Sequence, residues 1–340
     1  MLNHIEPLLG KTLQELQAIA QEVGLPRFAG KQLAEWLYVR RATTFDEMTN
    51  ISLKGREALK ERYTIGRHAP IAEAISKDGT KKYLFRIGEQ FVESVYLPED
   101  DRATLCVSTQ AGCKMGCKFC MTGTLGFHGH LAAADILNQI FSIPDADKLT
   151  NIVYMGEGEP MDNLDNVLRS LEAMTSPWGC AWSPKRITIS SVGINKGLKR
   201  FIEESDCHLA ISLHNPFGTE RQEIMPIEKV NHLSDVLALL KQYDWSHQRR
   251  VSFEYICWGG VNDTAKHANE LVRILKGLDC RINLIRFHAG VDQSFPNSNE
   301  KQMEWMRDYL TTKGITTTIR RSRGEDILAA CGMLVNALKS

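Results

Sequence analysis

Apolar positions recur at helical spacing near the start of the chain. Leu13, Leu16, Ile19, Ala20 and Val23 fall on one helical face, and Gly24-Leu25-Pro26 ends the run. Two further helices are predicted over 30–38 and 53–63, so residues 1–66 form a small helical module. Such a module serves either as an accessory unit that binds a substrate or as a packing appendage. The pattern then changes. Runs at 82–87 and 91–97 flank Gly88-Glu89-Gln90 and predict a β-hairpin, which makes residues 67–100 an extension. Beyond Arg102, strand-like runs recur at 104–108, 152–155, 187–190, 209–213, 251–256 and 282–285. Amphipathic helical patterns separate them at 133–141, 164–174, 194–202, 233–243 and 265–275.

Strand and helix in alternation predict an α/β core over 101–340 built on a parallel sheet. Right-handed crossovers would curl that sheet into a partial (β/α)6 barrel of the TIM type. In such folds chemistry sits at the C-terminal ends of the strands. Three cysteines follow the first run there, Gly156-Glu157-Gly158-Glu159-Pro160 the second and Ser190-Ser191 the third, while Ser212-Leu213-His214 ends the fourth.

Composition narrows the class. The 340 residues are 43% hydrophobic and 24% charged, ordinary for a globular protein. No stretch reaches the roughly 20 apolar residues that span a bilayer, and the N-terminus lacks the basic-then-apolar layout of a signal peptide. A cytoplasmic protein without a membrane partner is expected. The formal net charge is zero, which gives no support to a generic polyanion binder. Basic clusters at Arg40-Arg41, Lys81-Lys82, Arg249-Arg250 and Arg320-Arg321-Ser322-Arg323 read, on charge alone, more readily as solvated faces than as RNA contacts. The nine cysteines do change the picture. In a reducing compartment they point to metal binding or redox chemistry rather than to structural disulfides.

Cys113-Lys-Met-Gly-Cys117-Lys-Phe-Cys120 is a C-x3-C-x2-C array. Three clustered thiolates suit three irons of a 4Fe–4S cluster, leaving the fourth iron open to an exchangeable ligand. Zinc is the main alternative, but structural zinc prefers paired C-x2-C ligands and a fourth residue. Gly112, Gly116 and Phe119 suit a tight loop with close backbone approach.

This loop, after the first barrel strand, resembles the signature of radical S-adenosylmethionine (SAM) enzymes. The resemblance narrows further to the RlmN/Cfr family of RNA adenine methyltransferases. It is carried by residues 320–332, Glu93-Ser94-Val95-Tyr96, residues 155–160, Ser212-Leu213-His214, residues 221–226, Asn262-Asp263 and residues 282–286, and so covers nearly the whole chain from about residue 80. What it implies is specific. Cys113, Cys117 and Cys120 would hold a 4Fe–4S cluster, and two SAM molecules would be used per turnover. Cys331 would carry a methyl group as S-methylcysteine. Glu93 would accept the ring proton, and Cys106 would resolve the protein–RNA adduct through a transient disulfide with Cys331. Gly158, Glu159, Ser190, Ser212, Leu213, His214 and His288 would bind SAM. The substrate would be an adenosine of 23S rRNA, with an adenosine near the anticodon of certain tRNAs added in some members. A reducing donor such as flavodoxin or ferredoxin would supply electrons to a monomeric enzyme.

Glu159-Pro160 resembles the RlmN branch, which methylates C2; the Cfr branch methylates C8 and confers antibiotic resistance. Three departures stand out: His288 where the family usually has asparagine, Glu157 where many relatives have methionine, and Met121-Thr122-Gly123. Cys180, Cys207, Cys257 and Cys280 match no site and read as structural. The competing readings are a radical enzyme with a small substrate, which leaves Cys106 and Cys331 without a task, and a zinc-stabilised RNA-binding module.

Overall fold

Thr12 caps the first helix, α1 (Leu13–Glu22). Its hydroxyl accepts from the Glu15 N–H, and the Glu15 carboxylate accepts from the Thr12 N–H in return. The computed structural model describes residues 5–245, 251–288 and 295–334. After α1 come α2 (Ala29–Ala34) and α3 (Leu53–Lys60); the second predicted helix widens into a π-helical turn at Glu35–Val39. Strand β1 (Glu6–Pro7) pairs in parallel with β2 (Tyr63–Thr64) and stitches the two ends of the module together. Leu16, Ile19 and Ala20, one helical face of α1, enter a core continuous with that of the barrel. Arg169–Glu15 and Arg41–Asp147 ion pairs tie the module to the core from outside.

Strands β3 (Ala72–Ile75), β4 (Lys81–Ile87) and β5 (Gln90–Pro98) are antiparallel. β5 also pairs antiparallel with β6 (Ala103–Cys106), so the predicted hairpin continues the main sheet. A two-stranded ribbon, β7 (Gln110–Gly112) and β8 (Phe127–His130), brackets the cysteine loop. The alternation then runs α4 (Ala133–Phe141), β9 (Asn151–Tyr154), α5 (Leu164–Thr175), β10 (Ile187–Ser191), α6 (Asn195–Glu204), β11 (His208–Ser212), α7 (Gly218–Ile224), α8 (Leu233–Leu240), β12 (Val251–Cys257), α9 (Ala265–Leu275), β13 (Cys280–Arg286), α10 (Glu300–Thr312) and β14 (Thr316–Ile319).

The sheet order is β14-β13-β12-β11-β10-β9-β6-β5-β4-β3, parallel from β6 to β14. This is the expected partial barrel with one more unit than the six predicted, α10 followed by β14. Threonines at 316–318 hid that strand, because a polar run carries no apolar alternation. Residues 249 and 250, one of the basic clusters, lie outside the described residues. The Lys81-Lys82 cluster is not free surface. Lys82 is fully buried, and Lys81 pairs with Asp145 at 2.6 Å. No helix among the described residues is long and apolar enough to cross a membrane.

Candidate active site

A cavity of about 980 Å3 opens at the C-terminal ends of the barrel strands and continues down their inner faces. Cys106, Cys113, Cys117, Cys120, Gly158, Glu159, Ser190, Ser212, His214, His288 and Cys331 all line it. Of the site residues singled out from the sequence, only Glu93 and Leu213 do not.

The cysteine loop is shaped by glycine. Gly112 and Gly116 have φ of +70° and +65°, and a Cβ on Gly112 would lie 1.9 Å from the Gly126 carbonyl oxygen. Burial pushes the Cys113 thiol up to about 12 and raises Cys117 and Cys120 as well, with the neighbouring thiols adding to the effect on Cys117. Bare thiolates are therefore disfavoured here, and a bound cation would reverse that preference. Among the described residues no three His, Cys, Asp or Glu side chains converge on one metal-ion position. The fit to an iron–sulfur cluster rests on the donor set, three soft sulfurs lining one cavity, and on the loop that presents them.

Beside the loop, Gly158 has φ +96°, and a Cβ there would meet the Gln110 side chain at 2.5 Å. Glu159 follows. Its Oε1 accepts from the Met161 N–H at 3.0 Å and its Oε2 from the Val192 N–H at 2.9 Å. Burial outweighs these bonds and raises its carboxyl to about 7. His214 has φ +54° at the end of β11. Its Nδ1 accepts from the Ile256 N–H at 3.1 Å, which leaves Nε2–H as the donor. Burial, assisted by the Arg221 charge, drops its pKa to about 3, so the ring is a neutral donor. Asn262 holds that turn, donating to the carbonyls of His214 and Ile256 at 2.7 Å each.

Arg221 does more than its place in a motif suggested. Fully buried, it donates Nε to the Leu213 carbonyl at 3.0 Å and Nη2 to those of Ser212 and Val192 at 2.9 Å each, and it pairs with Glu228. One guanidinium thus locks the ends of β10 and β11. Leu213 points its side chain into the core, and its carbonyl is held by Arg221. His288 reaches the cavity wall, but its ring is engaged by Ser322 at Nε2 and stands 3.5 Å from Glu325 at Nδ1.

Cys331 arrives from the far end of the chain. Asp326 accepts from Ser76 Oγ at 2.5 Å and from the Lys77 N–H at 3.1 Å, and the Gly324 N–H donates to Asp78 at 3.0 Å. Beyond it, the Met121 N–H donates to the Gly332 carbonyl at 2.7 Å, and Thr122 Oγ1 to that of Leu334 at 3.0 Å. The segment is therefore clamped between the β3–β4 turn and the cysteine loop. Cys331 opens into the cavity, and the surrounding walls push its thiol up to about 11. Cys106 is half-buried and raised to about 12, by burial first and by Cys331 second. Both are free thiols.

Glu93 lies behind the cavity wall rather than on it. It is fully buried, and Lys82 Nζ stands 3.0 Å from its Oε1. The same ammonium donates to the Leu328 carbonyl at 3.4 Å, three residues before Cys331. Glu157 also has a task. Its Oε1 accepts from the Glu93 N–H at 2.8 Å and its Oε2 from the Gly112 N–H at 3.4 Å, tying β5 to the cysteine loop. Lys82, Glu157 and Arg221 carried no signal for these contacts in the sequence, because each depends on partners from other strands.

Residues 7–65 match the ribosomal RNA large subunit methyltransferase N-terminal domain, and residues 107–292 match the radical SAM superfamily. The chain is 58% identical over 332 residues to a probable dual-specificity RNA methyltransferase RlmN of Bacteroides thetaiotaomicron, covering 97% of this chain and 96% of the relative. It is 60% identical over 328 residues to one from Porphyromonas gingivalis, covering 96% of each. A crystal structure of a radical SAM methyltransferase from Sphaerobacter thermophilus superposes with a TM-score of 0.91 at 34% identity, covering 97% of this chain and 99% of that one.

Proposed function

The chain belongs to the RlmN family of radical SAM RNA methyltransferases, and from that premise we propose that it methylates C2 of a specific adenosine in 23S rRNA and of an adenosine near the anticodon of some tRNAs. One observation carries the reading: Cys106 and Cys331, distant in sequence, share a cavity with Cys113, Cys117 and Cys120.

In this reading Cys113, Cys117 and Cys120 hold a 4Fe–4S cluster. That cluster, when bound, supplies the electron that cleaves SAM to methionine and a 5′-deoxyadenosyl radical. Cys331 carries the methyl group. Its thiol, raised to about 11, is protonated at neutral pH, so its attack on a first SAM needs the nearby sulfonium charge to favour the thiolate. The methylated Cys331 next yields a hydrogen atom and forms the bond to the adenine ring. Glu93 takes the ring proton, reached by movement of the wall that now covers it. One electron returns to the site that supplied it. Cys106 then attacks the Cys331 sulfur, and the S–CH2 bond breaks. The freed carbon takes a proton to become the methyl group of the released RNA, and the Cys106–Cys331 disulfide is reduced by two electrons before the next turnover. Gly158, Glu159, Ser190, Ser212, Leu213, His214 and His288 hold SAM, two molecules per turnover. A flavodoxin- or ferredoxin-type donor feeds the electron.

The deciding experiment is anaerobic cluster reconstitution, reaction with SAM, reductant and unmodified 23S rRNA fragment, and mass spectrometry of the digested nucleosides. 2-Methyladenosine is expected; 8-methyladenosine would move the enzyme to the C8 branch. Cys106→Ala is expected to accumulate a covalent protein–RNA species, seen as a band on a denaturing gel that ribonuclease trims to one nucleotide on the Cys331 peptide. Wild-type turnover by that variant would remove Cys106 from the scheme.

Glu159 makes SAM binding sensitive to pH. The carboxyl titrates at about 7 because burial raises it. Below that value it is mostly the neutral acid, which loses an acceptor for the methionyl amino group. Affinity should therefore fall as pH drops from about 7.5 to about 5.5, approaching about tenfold per unit at the acid end. Equilibrium binding across that range is the measurement, and Glu159→Gln should bind weakly with a flat profile.

A further inference from the structure

Barrel interiors are ordinarily filled with branched apolar side chains. Here the inner face of the later strands is polar. Ser212, Glu254, Asn283 and Thr318 stand in register across β11, β12, β13 and β14, and all four line the cavity. The last three form a chain. Thr318 Oγ1 donates to Asn283 Oδ1 at 2.8 Å, and Asn283 Nδ2 donates to Glu254 Oε1 at 2.8 Å. Arg320 Nη2 lies 3.5 Å from that same oxygen. Glu254 is only 4% exposed, and its second oxygen, Oε2, is buried with no hydrogen-bond partner among the described residues.

A carboxylate oxygen can only accept, and an unsatisfied one in a dry wall costs about 1–3 kcal/mol or more. Both neighbours bind Oε1, which fixes the carboxylate and leaves Oε2 for something else. The location is chemically pointed, since Glu254 is the charged group that acts most strongly on the Cys331 thiol. We propose that Glu254 Oε2 is the receptor for an N–H or O–H donor of an adenosine group bound in the barrel lumen beside Cys331. The inference rests on the function proposed above, in which two adenosine-bearing molecules use this cavity, SAM and the target nucleotide. Both offer an exocyclic amine and a ribose 2′-hydroxyl, and SAM adds a 3′-hydroxyl. A ligand that turned a carbonyl oxygen toward Oε2 would face lone pairs with lone pairs and be rejected.

A thermodynamic cycle tests this on the cluster-reconstituted enzyme. One side of the cycle is Glu254→Gln. The other is removal of a single donor from the ligand: SAM analogues without the exocyclic amine or without a ribose hydroxyl, and rRNA fragments carrying purine or a 2′-deoxynucleotide at the target position. Affinities come from equilibrium dialysis for SAM and filter binding for RNA. With wild-type protein, removing the matched donor should weaken binding about 10- to 100-fold. With Glu254→Gln the same removal should cost almost nothing, a coupling that a purely structural role does not produce. Coupling in the SAM arm assigns Oε2 to the cofactor, and coupling in the RNA arm assigns it to the target. Additivity in both arms overturns the proposal. If the glutamine variant does not fold, Glu254→Asp, which keeps the charge and withdraws the oxygen by one methylene, replaces it. Wild-type protein that binds SAM but neither binds nor methylates the RNA would refute the RNA substrate, while the SAM arm still decides Glu254.

Discussion

Cys331→Ala is expected to abolish methyladenosine formation while leaving 5′-deoxyadenosine formation measurable. An aromatic C–H carbon of adenine is too weak a nucleophile to take a methyl cation, so the methyl group has to travel on a carrier from which a hydrogen atom can be drawn. The proposed function gives that work to Cys331, which opens into the cavity on a segment bonded at both ends to the sheet and to the cysteine loop. Cys106 is less accessible and starts from a strand, and the remaining three cavity thiols are assigned to the cluster. Serine at 331 should fail as well, because its hydroxyl is a far poorer nucleophile at neutral pH than a thiolate. Nucleoside mass spectrometry of RNA, with 5′-deoxyadenosine quantified in the same reaction, reads both products. Methyladenosine from the alanine variant would mean that SAM methylates the base without the carrier.

Arg221→Met should destabilise the fold by roughly 3–5 kcal/mol, the usual cost of removing one partner from a buried ion pair. The side chain is fully buried, and its removal strands Glu228 together with the carbonyls of Val192 and Ser212, while the Leu213 carbonyl keeps the Asn215 N–H at 2.7 Å. Among the described residues Glu228 would keep its bonds from the Leu233 N–H, at 3.1 Å to each oxygen, and the His232 ring at 3.8 Å. For a chain of this size the loss corresponds to a drop in melting temperature of roughly 4–7 °C. Arg221→Lys should recover little, since a point-like ammonium cannot serve three carbonyls and a carboxylate through a planar fork. Adding Glu228→Gln to Arg221→Met should restore part of the loss by removing the stranded charge. Differential scanning calorimetry of the set checks the ordering, and equal melting temperatures for all would contradict the role assigned to Arg221. SAM affinity should fall along the same series, because these carbonyls set the positions of Ser212 and His214.

Much of the architecture was legible because periodicity is local. The helices over 133–141 and 265–275 have the bounds their apolar spacing predicts, and each of the six expected strands is present. The 316–319 strand was not legible, because its threonines pair with β13 through backbone bonds that require no apolar side chain. The C-x3-C-x2-C loop was legible for the opposite reason: three thiols crowded into eight residues are constrained by their spacing along a single loop. The reading of Lys81-Lys82 as a basic surface failed on the same logic, since charge spacing along a strand does not reveal that Lys82 faces Glu93 inside the sheet.

The sequence by itself determined the alternation of strand and helix, the donor set of the cysteine loop and the resemblance that pairs Cys106 with Cys331. Only the tertiary structure decided that these thiols share one cavity, that Lys82 touches both Glu93 and the Leu328 carbonyl, that Arg221 locks two strand ends, and that Glu254 keeps one oxygen free of protein partners among the described residues. The reason is physical. Periodicity and loop motifs are set by neighbours a few residues apart, whereas burial, pKa shifts and hydrogen-bond satisfaction depend on groups that meet only when distant strands are brought into register.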